Sequence, residues 1–98
     1  MANINIICNR RLDKYFKISS EALEAAKKAE KDVEHKAWAL DFIDMASRYI
    51  SDAKHFRKKG NWVLAFAALN YAHGWLDAGA RIGLFKVKDS RLFTVDDE

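Results

Sequence analysis

Apolar positions recur along this chain in three blocks with helical spacing. In the first, Leu12, Phe16, Ser19, Leu23 and Ala26, with Val33 after a gap at Glu30, follow a 3-4 rhythm among lysines and glutamates. That rhythm predicts a helix from about Arg10 to Lys31. The second block, Ala39, Phe42, Ala46, Tyr49, Ala53 and Phe56, flanked by Ile43 and Ile50, predicts a helix from about Lys36 to Lys59. Gly60 is placed to end it, after a basic last turn (Arg57, Lys58, Lys59) that suits the negative end of a helix dipole. Asn61 then caps a third helix from Trp62 to about Phe85.

The first boundary has no local punctuation, since neither Gly nor Pro occurs between residues 10 and 59. Two arguments still place a turn near Lys31–His35, with Asp32 as candidate cap. The stripe ending at Val33 is out of phase with the one at Phe42 and Ala46. A single helix over that stretch would be about 75 Å long, more than a small globule can cover. After the third helix, Phe85, Val87, Leu92, Phe93 and Val95 surround Asp89-Ser90, which predicts a short hairpin lying on the bundle. The first eight residues are expected to be an irregular lead-in, with Ile6 and Ile7 packing on the helices, and Asp96-Asp97-Glu98 a solvated end. The expectation is one domain over residues 1–98, an all-α, up-down-up three-helix bundle with a short extended tail at residues 86–98.

The third block differs from the other two. From Gly60 to Leu76 no side chain carries a charge, although charged residues make up 32% of the chain. A surface helix needs one apolar stripe and keeps charge opposite. At about 100° per residue this helix carries two ridges. Trp62, Ala65, Leu69, Ala72, Leu76 and Gly79 form one, assigned to the core. Leu64, Tyr71, Trp75 and Ile82 form the other, turned by about a third of the circle. Either the tail and lead-in cover the second ridge, or it is a contact surface for another subunit or protein. Between the ridges runs a polar strip of Asn70, His73, Asp77 and Arg81.

Composition narrows the function classes without choosing one. The many alanines and the absence of proline fit the helical reading. Cys8 is the only cysteine, so no internal disulfide forms and a reducing cytoplasm is expected. The start of the chain does not read as a signal peptide. The longest apolar run, Trp62–Leu69, is far below the roughly 20 residues of a membrane span, so a soluble cytoplasmic protein with no membrane role is expected. The net charge is +3, with the basic excess before Gly60. In an up-down-up bundle Arg10, Arg11, Lys14 and Lys17 start the first helix at the pole where Lys54, Arg57, Lys58 and Lys59 end the second. That pole could bind phosphate groups of a nucleic acid or an acidic protein surface; its ordinary role is dipole complementarity and solubility.

Candidate chemistry is thin. Asp77 could orient His73 as a base with Arg81 holding an anion, or Asp77 and Arg81 could form a plain i,i+4 surface pair. No nucleophile accompanies them. Asp52 and His55 share a helical face, but two ligands do not make a metal site, and no metal or other cofactor is expected. Arg48 and His55 match the Arg-x(4–6)-His spacing of HEPN helical ribonucleases, a pattern frequent by chance.

Tyr49-Ile-Ser-Asp-Ala-Lys-His-Phe56, Lys59-Gly-Asn-Trp62, Ala65-Phe-Ala-Ala-Leu-Asn-Tyr-Ala72 and Gly74-Trp-Leu-Asp-Ala-Gly-Ala-Arg-Ile-Gly-Leu-Phe85 are similar to an archaeal family of helical proteins, domain-of-unknown-function family 357. The resemblance runs from Met45 to Phe85. It implies a left-handed three-helix bundle, an archaeal source and no established activity. A turn carrying Gly or Pro between the first two helices is expected of the family and is missing between Lys31 and His35. The leading expectation is a non-catalytic interaction or assembly module, self-associating through the third helix or binding a protein partner. The alternative is a nucleic-acid-associated accessory protein using the basic pole.

Overall fold

The computed structural model describes residues 5–94, which contain three helices: α1 (Asn9–Lys28), α2 (Lys36–Lys58) and α3 (Trp62–Arg81). They form the expected up-down-up bundle, 46 Å in its longest dimension. No strand occurs among the described residues, apart from one isolated antiparallel bridge between Lys31 and Phe85.

The α2–α3 turn follows from two residues. Gly60 takes φ +79°, the left-handed conformation that glycine adopts without penalty. Asn61 N–H then bonds Phe56 C=O and Gly60 N–H bonds Arg57 C=O, which satisfies the last carbonyls of α2. Asn61 also caps the next helix, its side chain accepting from Leu64 N–H at 3.2 Å.

Small residues set the packing of α2 against α3. Ala39, Ala46 and Ala53 on α2 and Ala65, Ala72 and Gly79 on α3 recur every seventh residue and are buried. Their size lets the two backbones approach closely. The larger core side chains, Leu12, Leu23, Ile43, Ile50, Leu69 and Leu76, fill the space to α1. α3 touches both other helices, and most extensively α2, while α1 and α2 meet least. Phe42, Tyr49 and Phe56, expected within the α2 core stripe, pack half-buried at its edge.

The end of α1 and the end of α3 both differ from expectation. α1 stops at Lys28 instead of Lys31, and residues 30–32 run alongside the tail: Asp32 N–H donates to Leu84 C=O and Lys86 N–H to Glu30 C=O, both at 2.9 Å. Val33, expected on the α1 stripe, is 88% exposed because the helix has ended before it. The Lys31 ammonium folds back onto the Lys27 and Ala29 carbonyls at the end of α1, and burial, then the neighbouring Lys36 charge, lowers its pKa. The turn falls where expected, but Asp32 caps nothing. Its carboxylate meets His35 Nδ1 at 2.5 Å, and His35 is the residue preceding α2. At the other end α3 stops at Arg81 rather than Phe85, because Gly83 (φ +79°) closes it. Leu84 N–H bonds Gly79 C=O and Gly83 N–H bonds Ala80 C=O, a second left-handed glycine terminus.

The expected hairpin about Asp89-Ser90 is replaced by a single turn. Leu92 and Phe93 N–H both bond Asp89 C=O, while the Asp89 carboxylate accepts from Arg91 N–H. Such local side-chain bonding competes with strand pairing. Val95 and the acidic end lie outside the described residues. Of the lead-in, Ile7 packs on the core and Ile6 is exposed.

Candidate functional site

α3 is covered unequally around its circumference. The side toward α1 is closed by the tail, which buries Leu84, Phe85, Leu92 and Phe93. Phe85 lies across Gly79: a Cβ built on that glycine would stand 2.3 Å from Phe85 Cζ. Arg91 ties the tail to α1 through Glu21 at 2.8 Å, a contact that raises the Arg91 pKa. Thr94 ties it to α3, since Asp77 accepts from Thr94 N–H at 2.7 Å and from the Thr94 hydroxyl at 2.9 Å.

These contacts divide the polar strip. Both Asp77 oxygens are engaged by Thr94, so the expected Asp77–Arg81 pair is not formed, and His73 Nε2 lies 3.8 Å from Asp77. His73 and Arg81 line a shallow hollow with the tail residues Ser90–Thr94. Asn70 belongs to a different groove altogether. The Asp77 carboxylate thus accepts two hydrogen bonds that hold the tail in place.

The second ridge faces the opposite way. Among the described residues, neither the tail up to Thr94 nor the lead-in from Asn5 covers it. α2 supplies two edge-to-face ring contacts instead, Phe42 on Trp75 with centroids 4.9 Å apart and Tyr49 on Tyr71 at 4.5 Å. They leave Leu64 44%, Tyr71 54% and Ile82 64% exposed. Beside them a groove of about 340 Å³ is lined by Phe42, Asn70, Tyr71, Gly74, Trp75 and Ala78, none of them charged.

The basic pole is assembled as the topology requires. Arg57 Nη2, at the end of α2, bonds Asp13 at 2.5 Å and Asn9 at 3.4 Å near the start of α1, and its guanidinium lies 5.3 Å from the Phe16 ring centroid. Arg57 is thus part of the α1–α2 joint. Phe16, Lys54, His55, Arg57 and Lys58 line a groove of about 590 Å³ there. Arg10, Lys14, Lys17, Lys54, Lys58 and Lys59 are exposed and have no carboxylate partner among the described residues. Arg48, half of the ribonuclease-like pair, bonds Asp44 one turn away at 2.9 Å. Among the described residues no group of three or more His, Cys, Asp or Glu is gathered as metal ligands.

Two features escaped the sequence. Thr94 as the partner of Asp77 has no local signal, because the two are 17 residues apart. Trp38, 58% exposed, stacks on His35 with ring centroids 4.3 Å apart; its position next to Ala39, about 100° around the helix from the α2 stripe, was the available hint.

Fold and surfaces together define a small all-helical bundle with an unfilled uncharged flank and a basic groove. The chain belongs to the family described as protein of unknown function (DUF357), whose model matches residues 14–85, a longer stretch than Met45–Phe85. No curated protein and no solved structure matches it. No helix among the described residues is long and apolar enough to cross a membrane.

Proposed function

We propose that this chain is a non-catalytic helical assembly module of the cytoplasm whose working surface is the open flank of α3. One observation carries the reading. Leu64, Tyr71 and Ile82 stand exposed in line beside an uncharged groove, on the helix that is otherwise the most enclosed of the three. Contiguous apolar surface of this kind marks a contact site more often than scattered single residues do. The test follows α3 amide shifts by NMR as concentration is raised. Shifts confined to the Leu64–Ile82 flank, and abolished by Leu64→Glu with Ile82→Glu, are expected. A flank that stays unchanged up to millimolar concentration overturns the reading.

A second reading rests on the α1–α2 groove, where exposed lysines surround Phe16 without carboxylate partners among the described residues. Phosphate contacts by such lysines would make nucleic-acid binding fall steeply with salt. Lys54→Glu with Lys58→Glu should then abolish it. The first reading is favoured, because Arg57 is already paired with Asp13 and the Phe16 ring in the groove is half-buried, which leaves His55 as the exposed ring there for base stacking.

A further inference from the structure

We propose that the occupant of the open α3 flank is a second copy of this chain, packed antiparallel across a two-fold axis at Gly74; the inference rests on reading that flank as a contact surface. Gly74 is the first argument. A Cβ added there meets nothing within 4 Å, so nothing in the monomer needs the missing methyl group. Glycine in a helix interior is nevertheless less stable than alanine. Gly79, by contrast, is filled by Phe85. A glycine that is open in the monomer, on the floor of an uncharged groove, suits the crossing point of another helix.

Charge selects the partner. Arg81 lies seven residues beyond Gly74 on α3, about 10 Å along the axis. An antiparallel copy crossing at Gly74 brings Arg81 level with the partner's Ala67. The ring contacts Phe42–Trp75 and Tyr49–Tyr71 fix the α2–α3 register, and that register sets Asp52, one turn beyond Tyr49, level with Ala67 and Ala68. Arg81 and Asp52 are both exposed, and neither has an ion-pair partner among the described residues. Neither lines the groove itself, but each copy carries one cation beyond Gly74 on α3 and one carboxylate before that level on α2. A two-fold axis pairs them twice, as an isologous interface requires. The described tail is not the occupant, because Phe85, Arg91 and Thr94 hold it against Gly79, Glu21 and Asp77.

Charge exchange tests the geometry. By sedimentation equilibrium the wild type should dimerise. Arg81→Asp and Asp52→Arg should each weaken dimerisation about tenfold or more, and the double variant should return it close to wild type. In a Cys8→Ser background, Gly74→Cys should yield a disulfide-linked dimer under mild oxidation, since the axis brings the two positions within bridging distance. The open site makes the glycine variant fold like the wild type, which circular dichroism checks. Association that is lost in Leu64→Glu but indifferent to the charge exchange, with no cross-link at Gly74→Cys, overturns the two-fold arrangement and leaves the flank reading standing. A wild type that remains monomeric, with an unchanged flank, overturns both.

Discussion

Gly74 and Gly79 lie little more than one turn apart in the same helix and have opposite surroundings. Gly79 is filled: the Phe85 ring occupies the space where its side chain would be, and the tail is anchored around that contact. Gly74 faces a groove that nothing in the described chain enters. One helical glycine makes room for a neighbour in the same molecule, and the other has no neighbour among the described residues. α3 is accordingly a two-sided element, with one side completed by its own tail and the other left unfinished.

The comparison can be broken most forcefully from the filled side. Phe85→Ala should cost about 3–5 kcal/mol, as measured by urea unfolding, because the ring is fully buried and its loss leaves a cavity against Gly79. A loss near zero would mean that the tail does not complete the core. Next comes the same substitution at the two glycines. Gly79→Ala should destabilise by about 1–3 kcal/mol through overpacking against Phe85, although part of that is offset by better helix propensity. Gly74→Ala should instead stabilise the monomer by up to about 1 kcal/mol. Changes of the same sign would erase the distinction.

Asp77→Ala should cost about 1 kcal/mol by releasing the two bonds from Thr94. Combined with Phe85→Ala it should cost less than the sum, since both residues hold one tail. The smallest effect is a reference point remote from both glycines. The Arg11 backbone N–H, supported by that of Arg10, lowers the pKa of Cys8 at the start of α1. The folded thiol is then more ionised than the unfolded one at mildly alkaline pH. This bias favours the fold above the unfolded pKa and disappears as pH falls through the folded pKa. Alkylation of Cys8 followed against pH should have its midpoint below that in urea, and neither glycine variant should move it.

Much of the fold was legible because its signals are local. Gly60 and Asn61 end one helix and cap the next within a few residues, and the alanine series on α2 and α3 is visible as a period. The two ridges of α3 were also legible by angle. What covered each was not, since the Phe42 and Tyr49 rings arrive from another helix and Phe85 from beyond Gly83. The end of α3 was not legible, since the apolar residues through Phe85 argued for continuation past Gly83. Its left-handed backbone decided the matter. The spacing of Asn70, His73, Asp77 and Arg81 did not reveal that Asn70 lines a separate groove, or that Thr94 offers Asp77 two donors where an ion pair with Arg81 was expected.

By itself the sequence determined three amphipathic segments, the site of the α2–α3 turn and the absence of charge along most of α3, all properties of spacing and of residues adjacent in the chain. Tertiary structure alone decided where α1 stops, since residues 30–32 leave the helix to bond with 84–86, more than fifty positions away. It alone decided which flank of α3 the tail would close. Hydrogen-bonding groups must find partners wherever the folded chain places them, and that pairing of distant segments is not written in any local window. The flank left open is the consequence: among the described residues, nothing fills the space at Gly74.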